Sequence, residues 1–136
     1  MRRYKNLSAL VAIFMALFYV ALPAGAKDDA KPVMEAKETV HNFGNIREDG
    51  GPVSCEFEFE NVGKGNLVIV SATAECGCTK PEFPKQPIAP GKKGKISVTY
   101  TPLGRPGGFD KVVTVKTNGK PGKMRFKIRG TVIPKK

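Results

Sequence analysis

Polar and apolar residues alternate without a break along Val53-Ser54-Cys55-Glu56-Phe57-Glu58-Phe59-Glu60. In an extended chain, successive side chains point to opposite faces, so the apolar residues of this stretch share one face and the glutamates share the other. The period of two predicts a half-buried antiparallel strand. Phe57 and Phe59 could form a ligand cage, but their place in such a strand fits a hydrophobic core better.

Segments on both sides of this stretch have the same β-strand character. Each segment is short and is either apolar throughout or alternates between apolar and polar residues, and residues that favour turns separate one segment from the next. The segments lie at about 39–43, 67–72, 96–100, 111–117 and 124–132. Asn118-Gly119 marks a hairpin between the last two, and prolines at 81, 84, 87 and 90 exclude a central strand there. About seven short strands without a convincing helical period predict an all-β, two-sheet antiparallel sandwich.

The N-terminus has the features of an export signal. Arg2, Arg3 and Lys5 precede an apolar run of 16 residues, 7–22, and Ala24-Gly25-Ala26 follows it. The run is shorter than the ~20 residues of a membrane-spanning helix. We therefore expect residues 1–26 to be a helical, cleaved signal peptide, followed by a linker at 27–37 and the sandwich at 38–134. Because no cysteine lies near the cleavage site, lipoprotein acylation is not expected. The mature chain is expected in the periplasm or outside the cell, without a stable membrane span.

Composition narrows the range of functions. The 136 residues suit one domain, and a single histidine, no tryptophan and three cysteines disfavour common hydrolase and multi-histidine metal sites. The sequence has no phosphate-binding glycine loop and no nucleophile elbow. We therefore expect a non-enzymatic protein without a cofactor. Nucleic acid is a poor candidate for a partner, because export separates the protein from it and no aromatic stacking platform accompanies the basic residues.

Charge is divided along the chain. Residues 27–82 contain six Lys and Arg against 11 Asp and Glu, whereas residues 83–136 contain 14 Lys and Arg and one acid, Asp110. Five of these cations fall on outward positions of the last hairpin: Lys116, Lys123, Arg125, Lys127 and Arg129. Like charges in neighbouring strands destabilise a sheet, so their clustering needs an explanation. The favoured one is protection of an exposed sheet edge against aggregation, and the alternative is an anionic envelope component or protein as partner.

Several motifs resemble those of one family, the domain of unknown function 1573. They are Phe43-Gly44, Asn61-Val62-Gly63, Cys76-Gly77-Cys78-Thr79, Pro90-Gly91-Lys92-Lys93-Gly94 and Phe109-Asp110-Lys111. The resemblance covers about residues 38–133 and implies an immunoglobulin-like sandwich found in exported bacterial cell-envelope proteins. It implies no activity, since a fold does not define a function. Cys55 is not part of the family pattern.

The three cysteines leave three interpretations open. Two thiols one residue apart, Cys76 and Cys78, are unusual in one loop, and in an oxidising compartment three thiols seldom all stay reduced. The favoured interpretation is a structural disulfide from Cys55 to Cys76 or Cys78, which would stabilise the fold by about 3 kcal/mol. The alternatives are a Cys76–Cys78 redox pair, or thiolates that bind copper or zinc.

The other candidate metal ligands are sparse. His41, Met34 and Met124 have no ligand spacing from the Cys76-Gly77-Cys78 loop. A single histidine at a strand end is more often packed or hydrogen-bonded than catalytic, so His41 is assigned no role. The leading hypothesis is therefore a non-enzymatic binding or scaffolding module of the cell envelope, and the runner-up is thiol redox or soft-metal handling by the cysteine loop.

Overall fold

The computed structural model describes residues 30–136, which contain eight β-strands and no helix. The strands are β1 (Met34–Ala36), β2 (Val40–Arg47), β3 (Val53–Asn61), β4 (Ile69–Ala74), β5 (Thr79–Glu82), β6 (Lys93–Tyr100), β7 (Gly107–Thr117) and β8 (Lys123–Ile133). The predicted signal peptide lies outside the described residues.

The strands form two four-stranded sheets. The first sheet has the order β1-β3-β6-β5 and the second has the order β2-β8-β7-β4. The alternating stretch of the sequence is β3, whose Cys55, Phe57 and Phe59 are buried while the intervening residues face outward. The prediction of an all-β immunoglobulin-like sandwich is confirmed.

The core lies between the sheets and draws on both. Phe57 of β3 packs against Phe126 of β8 with ring centroids 4.8 Å apart, and Tyr100 of β6 stacks on Phe109 of β7 at 4.0 Å. Alternating residues of β6, β7 and β8 are fully buried beside them. Burial of one face of each strand drives the sheets together, because it removes apolar surface from water.

Two features of the sandwich differ from the sequence expectation. The first strand, β1, lies inside the segment assigned to the linker, and its Met34 is only 2 % exposed. Three residues are too few to show a period of two, so this strand had no signal in the sequence. The second difference is that β2 pairs with β8 in parallel, whereas all other strand pairs are antiparallel.

Candidate functional site

The five basic residues singled out from the sequence lie together on the outer face of the second sheet. Lys123, Arg125, Lys127 and Arg129 occupy alternate positions of β8, and their side chains face away from the core while Phe126 and Ile128 face into it. Lys116 of β7 is directly opposite Lys123 in the antiparallel register. We call these five residues the cationic face.

One carboxylate offsets part of this charge. Asp110 of β7 is opposite Arg129, and its two oxygens lie 3.7 Å from Lys127 Nζ and 3.7 Å from Arg129 Nη2. Within residues 30–136, no carboxylate lies within 4 Å of the charged groups of the other three cations, Lys116, Lys123 and Arg125. The end of the hairpin near Lys123 is therefore uncompensated positive charge.

The topology contradicts edge protection as the reason for this charge. β8 is paired on one side with β2 and on the other with β7, and β7 is also paired with β4. Neither cationic strand is an edge, so lysines there do not protect exposed backbone groups from unwanted pairing. Sequence alone could not show this, because the parallel partner of β8 comes from the opposite end of the domain.

An open recess of about 460 Å³ lies at the Arg129 end of the cationic face. Its polar lining includes Asn42 of β2, Asp110 of β7, and Arg129 and Thr131 of β8. Gly108 also lines the recess, opposite Thr131 in the register, where the absence of a side chain leaves space. The sequence analysis did not identify the recess residues Asn42, Gly108 and Thr131. The one feature of the sequence that pointed to the recess was Gly108, a glycine next to a predicted strand.

The cysteine loop connects β4 of the second sheet to β5 of the first. A disulfide joins Cys76 to Cys78, and Cys55 is a free, buried thiol on β3. The favoured prediction, a bridge from Cys55 to this loop, is therefore wrong. Cys55 is the third residue of β3 and has Val98 of β6 as its register partner, so the sheet and not the loop determines its position.

The surroundings of the two bonded sulfurs differ. Cys76 is partly exposed, whereas Cys78 is only 3 % exposed. The backbone N–H of Cys78 donates to Cys76 Sγ over 3.3 Å, and the Thr79 hydroxyl lies 3.6 Å from Cys78 Sγ. Cys76 is therefore the more solvent-accessible residue of the bonded pair, and each sulfur has a hydrogen-bonding neighbour.

The remaining thiol, Cys55, is buried and holds its proton more firmly than a free thiol does. Burial, with a smaller contribution from the adjacent Glu56 carboxylate, raises the pKa of the Cys55 thiol to about 11. Because the thiolate is the nucleophilic form, Cys55 is almost fully protonated at neutral pH.

The other soft or imidazole side chains pack within the fold. Met34 is buried in the core, Met124 packs against it, and the His41 ring contacts Phe43 edge-on at 4.6 Å. No group of three or more His, Cys, Asp or Glu side chains within residues 30–136 is arranged to hold a metal ion. The same residues include no helix long and apolar enough to cross a membrane.

Comparison with known proteins agrees with this architecture. Two packed four-stranded sheets define an immunoglobulin-like β-sandwich. The chain belongs to the family described as Protein of unknown function (DUF1573), whose model matches residues 34–132. This match confirms the resemblance seen in the sequence. A search of curated proteins found no match.

Solved structures share the fold at low sequence identity. A protein of unknown function from Porphyromonas gingivalis W83 is 20% identical with a TM-score of 0.67, covering 80% of this chain and 51% of its own. This chain thus spans about half the length of that protein. The ASH / PapD-like domain 7 of human CEP192 is 16% identical with a TM-score of 0.59, covering 79% of this chain and 89% of that domain. The secreted serine protease VesC from Vibrio cholerae is 11% identical with a TM-score of 0.55, covering 77% of this chain and 24% of the protease.

Proposed function

We propose that this protein is a non-enzymatic binding module of the bacterial cell envelope that presents the cationic face to an anionic partner. The main support for this proposal is the position of four outward-facing cations on β8, a strand that is hydrogen-bonded to a neighbour on each side. Lys116 directly opposite Lys123 costs stability, because like charges in a cross-strand pair repel. An anionic partner supplies the attraction that offsets this cost in the complex.

A panel of anionic probes tests this proposal. The probes are vesicles of anionic phospholipid, a polyuronate and an acidic polypeptide, each titrated with the purified protein at low and high salt. We expect at least one probe to bind at low salt and to be released by salt, because exposed charges are screened within about 10 Å at 0.1 M ionic strength. Replacement of Lys123, Arg125, Lys127 and Arg129 with glutamine should abolish that binding.

A matched control separates the cationic face from net charge. Replacement of four exposed lysines elsewhere, Lys31, Lys64, Lys80 and Lys92, with glutamine removes the same charge and breaks no ion pair. This control variant should keep the binding. Binding lost equally in both variants, or no probe bound at low salt, would contradict the proposal.

Export is part of the same proposal. The basic start, the apolar run and Ala24-Gly25-Ala26 support cleavage after Ala26 and release into the periplasm or the medium. Cell fractionation followed by N-terminal sequencing should recover a chain that begins at Lys27 outside the cytoplasm. An uncleaved chain in the cytoplasmic fraction would overturn this assignment.

A second candidate function is thiol exchange, and the disulfide between Cys76 and Cys78 favours it. In this reaction a thiolate of a partner protein dithiol attacks Cys76 Sγ, the Cys76–Cys78 bond breaks, and Cys78 leaves as a thiolate. The second partner thiolate then attacks the partner's own sulfur in the mixed disulfide, and Cys76 leaves as a thiolate. The partner dithiol is oxidised to a disulfide, and Cys76 and Cys78 are reduced to two thiols after protonation.

Thiol labelling and mass spectrometry test the exchange. The oxidised protein is incubated with a reduced protein dithiol of the Cys-X-X-Cys class, and both partners are then analysed. We expect two new thiols at Cys76 and Cys78 and a disulfide in the partner. Cys76→Ser should abolish the reaction, and Cys55→Ala should not change it. An intact Cys76–Cys78 bond after incubation would exclude this function.

A further inference from the structure

The cations of β8 form a line. Outward side chains recur every second residue, so neighbouring cations are about 6.6–6.8 Å apart along the strand, and the row from Lys123 to Arg129 is about 20 Å long. The residues beside the middle of the row are uncharged: Thr114 is opposite Arg125, and Val40 and Val112 flank Lys127. Such an array matches a chain with charges spaced along its length better than a broad charged surface.

The recess at the Arg129 end of the row is not a requirement of the fold. A Cβ atom on Gly108 would meet only the Gly130 carbonyl oxygen, 4.0 Å away, and the φ of Gly108 lies outside the left-handed region. The fold does require glycine at two neighbouring positions. Gly107 has a φ of +103°, which other residues rarely adopt, and a Cβ on Gly130 would lie 2.8 Å from the Phe109 ring. The missing side chain at Gly108 therefore keeps the recess open without serving backbone geometry or packing.

The polar groups around the recess suit a sugar acid. The Arg129 guanidinium presents planar donors that match a carboxylate. The Asn42 side-chain oxygen accepts the Gly44 N–H over 2.8 Å, which leaves the Asn42 NH2 group as a donor. The Asp110 carboxylate accepts hydrogen bonds from hydroxyl groups, which a sugar supplies and a bare polyphosphate chain does not. The recess is open to solvent, so it suits one exposed sugar unit of a longer chain better than an enclosed small molecule.

We infer that the partner of the cationic face is a linear acidic polysaccharide of the uronate class. Its carboxylates lie along the β8 row, and one sugar unit occupies the Gly108 recess. This inference rests on the proposed function, since it names the anion that the cationic face binds. An anionic bilayer is a flat array of headgroups attracted by summed charge, so filling the recess should not weaken its binding.

Calorimetric titration of the purified protein with defined probes tests the inference. The probes are a long oligogalacturonate, digalacturonate, polyphosphate, and vesicles of phosphatidylglycerol in phosphatidylcholine, with dextran as a neutral glycan. We expect the long oligogalacturonate to bind most tightly, because it spans the row and fills the recess. Replacing the four β8 cations with glutamine should weaken this binding by about tenfold or more.

Gly108→Val is the decisive variant. It fills the recess with a strand-favouring side chain at an outward position, so the melting temperature should be unchanged or higher. It should weaken oligogalacturonate binding several-fold and leave the binding of any other polyanion unchanged. Gly108→Ala, a smaller addition, should have a smaller effect in the same direction.

The possible results separate the inference from the proposed function. If polyphosphate or the vesicles bind as tightly as oligogalacturonate and Gly108→Val has no effect, the uronate inference is overturned while the cationic face remains an anion-binding surface. If none of these probes binds even at low salt, the uronate inference is overturned, and the proposed function is overturned as well if the acidic polypeptide also fails to bind. If oligogalacturonate binds and both variants weaken it as described, both are supported.

Discussion

Asn61 is a buried polar residue that joins three parts of the chain. Its side-chain oxygen accepts the N–H groups of Val33 and Gly63, and its NH2 group donates to the carbonyls of Gly65 and Ile88, at distances from 2.8 to 3.2 Å. All four hydrogen-bonding positions of the amide are used, and the residue is fully buried. The motif Asn61-Val62-Gly63 marked this residue in the sequence, but the sequence could not show a bond to Val33, which is 28 residues away.

Replacement of Asn61 with alanine should destabilise the fold by about 2–4 kcal/mol, since it leaves buried backbone groups without partners. Urea denaturation followed by circular dichroism measures the effect. Asn66→Ala is the matched control, because Asn66 is exposed and its side chain makes no hydrogen bond within the described residues. A loss for Asn61→Ala no larger than that for the control would show that water replaces these bonds.

Cys55 gives a prediction for alkaline pH. Burial raises the pKa of its thiol from 9.0 to about 11, so the folded chain retains a proton that the unfolded chain releases. Between about pH 9 and 11 the folded state binds more protons, and the free energy of unfolding therefore falls as the pH rises, by roughly 1–2 kcal/mol. Below about pH 9 the Cys55 thiol is protonated in both states, so its contribution to the free energy of unfolding does not change with pH.

Urea denaturation of the wild type and of Cys55→Ala, on both sides of that pH window, isolates the thiol. The alanine variant should lose less stability than the wild type as the pH rises, whatever its absolute stability. Parallel declines in the two proteins would show that other groups, such as lysines, cause the alkaline loss.

At the level of secondary-structure elements, strands with strict alternation could be located from the sequence, and the very short strands β1 and β5 could not. β3, β6 and β8 have strict alternation, and their predicted positions agree with the structure to within a few residues. β1 and β5 have three and four residues, too few to establish a period, and β5 contains Pro81 at a sheet edge. The parallel pairing of β2 with β8 depends on the packing of the whole domain, and no local pattern specifies it.

Close packing within the first sheet predicts a sensitive position at Gly94. This residue of β6 is the register partner of Phe59, and a Cβ atom there would overlap the Phe59 ring. Gly94→Ala should cost about 1–3 kcal/mol, because overpacking forces side chains out of favoured rotamers. Thermal denaturation measures the loss. Gly108→Ala, where a Cβ has space, should leave the melting temperature unchanged, and equal losses in the two variants would contradict the packing argument.

At the scale of the whole molecule, the outer faces of the two sheets differ in charge balance. On the first sheet, Lys93 and Lys95 form ion pairs with Glu58 and Glu56 at 3.3 Å. On the second sheet, the cationic face has Asp110 as its one ion-pair partner within residues 30–136. The sequence showed that the second half of the chain is basic. Only the three-dimensional topology showed that this positive charge is concentrated on one central strand.

This imbalance predicts that the cationic face lowers stability in the absence of a ligand. Replacement of Lys123 and Lys116 with glutamine removes the facing like-charge pair and should raise the melting temperature at low salt. The gain should shrink as salt is added, because exposed charges are then screened. Differential scanning calorimetry at two salt concentrations measures it. Equal or lower stability of the variant at low salt would remove the energetic argument for a partner.

The position of β8 between two hydrogen-bonded neighbours has a consequence for selectivity. Its backbone cannot slide, so the anchor points of Lys123, Arg125, Lys127 and Arg129 keep a constant pitch. Because Lys and Arg side chains are long and flexible, their charged ends adjust to polymers whose charges repeat near that interval, whereas a polymer with a very different interval reaches fewer of them at once. Under the proposed function, the interval between the charges of a polyanion, and not only their number, should therefore affect how tightly it binds.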